Sequence, residues 1–270
     1  MATPVNEMKP DEVLYEVGDH VATITFNRPE QRNTISALML ETLTDCLLKA
    51  NEDPEVRAVI ITGNGRFFCA GLDLSGGGIA SGLSSKTSSP SNLDLRYSPP
   101  TVLHGIDKPT ICALNGSAAG YGMDIALGCD IRLMADSAKL AAAFTARGVV
   151  PESGGTWILP RLLGWSKAAE IIFTGRTLLA DECKSLGLVS HVVPTEEIAT
   201  AARDLALEIA GNAPLAVQAS KRMMRMGMNE TFNDHVHHVF LQLLPLFKSD
   251  DFQEGMAAFM EKRKADFKGT

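Results

Sequence analysis

The residues best placed to do chemistry lie between positions 109 and 160, PTICALNGSAAGYGMDIALGCDIRLMADSAKLAAAFTARGVVPESGGTWILP. Thr110–Leu114 is an apolar run of strand length. Asn115-Gly116 breaks it, and the small residues Ser117, Ala118, Ala119, Gly120 and Gly122 follow. Met123, Ala126 and Leu127 then recur at helical spacing as far as Gly128. The predicted unit is strand, turn and helix, with no bulk where the turn meets the helix, so a ligand or another backbone can come close. The first amides of such a helix are unpaired and point outward, which suits an oxygen that gains negative charge. The same residues also suit a close helix–strand crossing with no ligand.

Other uses of these glycines fit poorly. Gly120-x-Gly122 lacks the third glycine of a dinucleotide fingerprint, because Ile125 stands there. The chain has no phosphate-cradling G-x-x-x-x-G-K-[ST] run, and Ser117 stands one place early for a nucleophile elbow. With 270 residues, one large domain or a domain with an appendage can build a full core. A net charge of −7 argues against nucleic acid or an anionic membrane surface as partner. No apolar run approaches spanning length and the start MATPVNEMKPDE lacks a signal-peptide core, so a cytoplasmic protein is expected. Cys46, Cys69, Cys112, Cys129 and Cys183 are odd in number and irregular in spacing, which predicts reduced core thiols. His20, His104, His191, His235, His237 and His238 match no metal or nucleophile spacing, and surface positions are expected for them.

Around this stretch the pattern predicts a hairpin at 13–15 and 21–26 and a helix from an N-cap at Ser36 to about 51. A buried strand is predicted at 56–62, with a second strand end at 66–74. Residues 75–90, rich in serine and glycine, predict a mobile loop or pocket cover. Short helices at 166–173 and 180–186 and a strand at 188–193 follow. Beyond 194 the pattern is helical, at 195–210, 214–228, 231–247 and 250–265. Met223, Met224, Met226 and Met228 read as core or subunit contact.

An ordered set of short motifs now spans nearly the whole chain. It comprises Asn27-Arg28-Pro29, Phe68-Cys69-Ala70-Gly71-Leu72-Asp73-Leu74, Lys108-Pro109 with Asn115-Gly116, and Cys129-Asp130. Ser153-Gly154-Gly155-Thr156, Phe173-Thr174-Gly175, Gly187-Leu188-Val189 and Glu254-Gly255 with Phe259 and Lys262-Arg263 complete it. The chain resembles the crotonase (enoyl-CoA hydratase/isomerase) superfamily. The resemblance implies an α/β spiral of β-β-α turns over residues 1–194 and a C-terminal helical region, 195–270, that packs homotrimers or hexamers. It implies an acyl-CoA substrate and an enolate stabilised by the backbone N–H groups of Leu72 and Tyr121. It implies neither metal nor separate cofactor, since coenzyme A is part of the substrate.

Carried over by position, the first of two hydratase glutamates becomes Asp124 and the second becomes Phe144, which moves no proton. Glu152 matches the single carboxylate of enoyl-CoA isomerases, and also resembles the acid, there an aspartate, of ring-epoxide-forming aromatic acyl-CoA isomerases. One base can take a proton from one carbon and return it to another, whereas hydration is easier with two acids. Glu152 also suits a helix cap, and Asp124 an ordinary first-turn acid. Arg66 and Lys262, with Phe259, match positions near the coenzyme, and Arg28 or Arg32 stands in for a cation where Glu30 occurs. Phe68, Ala70, Asp73 and Phe144 complete the expected substrate contacts; Phe144, Tyr121, Trp157 and residues 75–98 suggest an apolar pocket. The alternatives are a 2-enoyl-CoA hydratase using Asp124 with Glu152, a thioesterase, and a non-catalytic acyl-CoA-binding oligomer. Tyr97, where related dehalogenases use histidine, speaks against dehalogenation.

Overall fold

The computed structural model describes residues 11–73 and 95–270. The loop or pocket cover expected at 75–90 lies outside the described residues. A six-stranded sheet runs in the order β1 (Val13–Gly18), β2 (Val21–Phe26), β3 (Ala58–Gly63), β5 (Thr110–Leu114), β7 (Ile131–Ala135) and β10 (His191–Val193). The β1–β2 hairpin is antiparallel and every later pairing in this sheet is parallel. A four-stranded sheet is made from β4 (Phe67–Cys69), β6 (Ser117–Ala119), β8 (Lys139–Ala141) and β9 (Thr177–Leu179). Three successive circuits, β3–β4, β5–β6 and β7–β8, each give one strand to the first sheet and the next to the second before the chain enters a helix. This is the expected spiral of β-β-α turns.

The helices are α1 (Ala37–Glu52), α2 (Pro99–Gly105), α3 (Tyr121–Gly128), α4 (Gly155–Leu163), α5 (Trp165–Thr174), α6 (Ala180–Ser185), α7 (Ile198–Ala210), α8 (Pro214–Gly227), α9 (Phe232–Leu246) and α10 (Asp250–Glu261). Ser36 caps α1 as expected, its hydroxyl accepting from the Met39 amide at 3.1 Å. The central strands are buried on both faces, which is why they read as continuous apolar runs. Val59, Ile61, Cys112 and Leu114 face the main core with Met39, Leu43 and Leu47 of α1. Ala58, Ile60, Ile111 and Ala113 face α7 through Ile198, Ala202 and Ala206. The first of the C-terminal helices therefore closes the sheet's second face. All five cysteines are free and buried.

Some boundaries differ from expectation. The strand expected from 56 starts at Ala58, because Asp53–Val56 forms a turn closed by the Val56 amide on the Asp53 carbonyl. The last helix stops at Glu261 and Lys262 turns left-handed at φ +55°. The following residues fold back: Arg263 pairs with Glu254, and the amides of Lys268 and Gly269 donate to Asp251 at 2.7 and 2.9 Å.

Gly122 allows the central crossing, whereas Gly105 serves no such contact. At Gly122 an added Cβ would meet the Cys69 carbonyl oxygen at 2.4 Å and its sulfur at 2.8 Å, so α3 lies against the end of β4 only without a side chain there. Gly122→Ala should cost about 1–3 kcal/mol in urea unfolding. At Gly105 an added Cβ meets nothing within 4 Å, so Gly105→Ala should leave stability unchanged or raise it by up to about 1 kcal/mol.

Candidate active site

Two turns come together where β4 and β6 end. The strands pair in parallel, Phe67 with Ser117 and Cys69 with Ala118, so the chain leaves both side by side. Gly71 takes φ +98°, and a Cβ there would lie 3.0 Å from the Ala119 carbonyl oxygen and 3.8 Å from the Tyr121 nitrogen. Among the described residues neither the Leu72 nor the Tyr121 amide donates to a backbone or side-chain acceptor. Tyr121 opens α3, where the first amides have no partner in the helix.

At the start of α3 lies a cavity of about 670 Å³, bounded by α1, the segment from Leu95 through α2, α3, and the start of α4; Tyr121 lines it and Leu72 does not. Leu40, Thr44 and Leu48 of α1, Leu103 of α2 and Ile158 of α4 make much of its wall apolar. Trp157 and His104 meet edge to face, ring centres 5.2 Å apart. Asp124, Glu152 and the Tyr121 side chain line the same cavity.

The two acids differ in setting. Asp124 is 1% exposed. Its Oδ2 accepts from the Ser153 hydroxyl at 2.9 Å and the Gly155 amide at 3.2 Å. A Cβ on Gly155 would sit 2.3 Å from Asp124 Oδ1, so the acid needs a glycine beneath it. That oxygen has no hydrogen-bond partner among the described residues. Burial pushes the Asp124 carboxyl up to about 7 against those two hydrogen bonds, with the Glu152 charge adding to the rise. Glu152 stands in the turn before α4, half-buried, with Oε2 also lacking a partner among the described residues. Burial raises its carboxyl too, and the Tyr121 phenol is raised by burial and then by the two acids.

The remaining expected positions fall elsewhere. Phe68 is fully buried in an edge-to-face contact with Phe26, centres 5.4 Å apart. Phe144 is buried against Gly120 and is not among the cavity-lining residues. Ala70 donates its amide to the Arg32 carbonyl at 3.1 Å. Asp73 pairs with Arg28, whose guanidinium is turned to Asp73 at 3.1 Å and Glu12 at 3.5 Å and donates to the Thr34 carbonyl at 2.6 Å. Arg66 is exposed in the turn between β3 and β4. Phe259, 78% exposed, and Lys262 lie on or just after α10 and do not line the cavity. His235 and His238 both contact Glu230, at 3.1 and 3.0 Å.

His104, Ser153 and the α1 wall are absent from the sequence-derived site. The i, i+4, i+8 spacing of Leu40, Thr44 and Leu48 was the available signal, and on a core-facing helix it reads as packing.

Because the folded chain holds the Asp124 proton up to about pH 7 and the ordinary value is 3.8, the folded state binds more protons between these limits. Stability should therefore fall as pH rises from about 4 to about 7, by no more than roughly 1.4 kcal/mol per unit from this group. Urea unfolding across that range should show the decline in the natural protein and a shallower one in Asp124→Asn; coincident profiles would rule out a proton-holding acid here.

The enoyl-CoA hydratase/isomerase family model matches residues 16–270. A 1,2-epoxyphenylacetyl-CoA isomerase of Escherichia coli is 34% identical, the match covering 95% of this chain and 98% of that one. An enoyl-CoA hydratase of Mycobacterium tuberculosis is 35% identical, over 97% of each chain. The crystal structure of an enoyl-CoA hydratase from Mycobacterium marinum superposes with a TM-score of 0.88 at 31% identity, covering 96% of this chain and 99% of that one. No helix among the described residues is long and apolar enough to cross a membrane.

Proposed function

The chain belongs to the enoyl-CoA hydratase/isomerase family, and we propose that it shifts the double bond of an unsaturated acyl-CoA thioester with Glu152 as the single acid/base. In this reading the thioester oxygen accepts from the Leu72 and Tyr121 amides. The Glu152 carboxylate removes a proton from the α carbon of a 3-enoyl-CoA, and the C–H electron pair passes into a dienolate whose negative charge sits on that oxygen. The same carboxyl returns the proton to the γ carbon, giving the 2-enoyl-CoA with no net change in protons. Two preorganised donors stabilise charge that exists only in the dienolate and the transition states leading to it, and losing one such donor typically costs about 3 kcal/mol. The chemistry draws on no metal or separate cofactor.

The observation that carries the proposal is the enclosed Glu152 Oε2, without a hydrogen-bond partner among the described residues, in the cavity that Tyr121 also lines. Partial burial raises the Glu152 carboxyl against one backbone hydrogen bond, and a carboxylate so raised is a stronger base than one in solution. Asp124 also has one oxygen without a partner among the described residues, but its other oxygen is fixed by two donors, so this reading gives the proton transfer to the less constrained Glu152. Glu152→Gln should reduce turnover of a 3-enoyl-CoA at least 1,000-fold, on the order of what removing an essential acid/base costs, while far-UV dichroism stays unchanged; full activity would end the assignment.

A second reading, hydration of a 2-enoyl-CoA by Asp124 and Glu152 together, draws on the presence of both acids in one cavity. A panel of 2-enoyl-, 3-enoyl- and 1,2-epoxyphenylacetyl-CoA separates the cases. Conversion of only the 3-enoyl compound supports the isomerase; formation of a 3-hydroxyacyl product from the 2-enoyl compound supports the hydratase. Conversion of the epoxide alone would align the protein with its Escherichia coli relative.

We also propose self-association into trimers or hexamers through the C-terminal helices. No residue of α9 is buried, and Phe232, Phe240 and Leu241 are exposed along it, with Phe259 and Met260 exposed on α10. Apolar surface of this extent marks a contact face. Light scattering should give three or six times the chain mass of 29.0 kDa; a monomer would overturn the proposal.

A further inference from the structure

Among the described residues the amide of Leu72 meets no acceptor, because a neighbouring segment occupies the peptide groups around it. Residues 28–35 run beside the turn at 70–73. The Arg32 carbonyl accepts from the Ala70 amide at 3.1 Å, the Ile35 amide donates to the Gly71 carbonyl at 2.8 Å, and the Asp73 amide donates to the Ile35 carbonyl at 3.0 Å. Ile35 and Leu72 form a parallel bridge. In a parallel bridge one residue bonds to the peptides before and after its partner, so the partner's own N–H faces the other way. The Leu72 N–H is thereby turned away from residues 28–35.

The segment that grips this turn is itself held under strain. Arg32 and Asn33 both take left-handed backbone angles, φ +56° and +52°, outside the range most side chains favour. Such conformations persist only where surrounding bonds over-determine them. Here the Asn33 side chain is buried and accepts from the Arg28 amide at 2.8 Å. It also donates to the carbonyls of Asn64 at 2.9 Å and Phe67 at 2.7 Å. Arg28 closes the bracket: its guanidinium bonds Thr34 and Gln31 within the segment and Asp73 on the turn.

We infer that residues 28–35 act as a brace that aims the Leu72 amide at the thioester oxygen, with Arg28 and Asn33 as positioning residues. This rests on the function proposed above. Neither residue touches the reacting atoms. Both act through the turn, so their loss should appear in the chemical step and in carbonyl polarisation, with little effect on substrate affinity.

The test uses the full-length protein and an α,β-unsaturated acyl-CoA, with the bound thioester carbonyl band read by difference infrared spectroscopy. In the natural protein the band should lie below that of the free thioester. In Arg28→Lys, which keeps the charge and loses the fork, and in Asn33→Gly, which keeps the backbone angle and loses the side-chain bonds, the band should return toward the free position. In the same variants kcat should fall roughly 10- to 100-fold while KM stays within about threefold. Asp73→Asn, which weakens the clasp from the turn side, serves as a third variant should either of the others fail to fold. An unchanged band and kcat in a folded variant would overturn the brace. So would a raised KM with an unchanged band, which would make Arg28 a coenzyme ligand instead. Glu152→Gln in the same experiment should lose turnover and keep the shifted band. An unshifted band in the natural protein would end the proposed function and take the brace with it, whereas a shifted band that no brace variant alters overturns the brace alone.

Discussion

The parallel pairing of β4 with β6 is the contact on which the rest of this molecule depends. Each strand is three residues long, too short to stand without neighbours. Their pairing sets the turn at Gly71 against the turn at Gly120 and leaves the Leu72 and Tyr121 amides without acceptors among the described residues. A glycine at 71 permits the approach, another at 122 lets the following helix lie against Cys69, and Gly116 does the same against the Arg66 carbonyl. The small residues of this region are therefore requirements of backbone contact before they are requirements of any ligand.

Burial then separates two carboxyls that sequence alone treats alike. Asp124 is enclosed, doubly hydrogen-bonded on one oxygen, and also caps α4 by accepting from the Gly155 amide. Glu152 is half-buried and carries no such bonds on its enclosed oxygen. The first acid is part of the scaffold as much as of the cavity, while the second is free to meet a substrate. That difference, more than their spacing in the chain, is what the proposed role of Glu152 draws on.

Much of this was legible in the sequence where the signal is local. The strand at Thr110–Leu114, the small-residue turn and the helix from Tyr121 follow from apolar runs and glycines within a dozen residues, and the Ser36 cap from one hydroxyl before a periodic segment. The second sheet was largely hidden, since three-residue strands such as Phe67–Cys69 and Lys139–Ala141 are too short to show alternation and resemble turns. The contact of His104 with Trp157 joins two helices far apart in the chain, and nothing in either neighbourhood announces it. The partners of Arg28 were hidden for the same reason: a cation after a strand reads as surface until the turn bearing Asp73 is folded onto it.

The close fit of Asp124 over Gly155 has a bearing on how such a chain can change its chemistry. Lengthening the acid by one methylene would push a carboxylate into a helix backbone that already has no side chain to surrender. A glutamate held in the direction of Asp124 needs α4 to move back, and such a retreat would carry Glu152 and Trp157 along with it. One turned into the cavity instead gives up the bonds to Ser153 and Gly155. Divergence among proteins of this build should therefore travel in coordinated pairs of substitutions, with the helix shift preceding the longer acid, because the single-step route passes through a collision or the loss of those bonds.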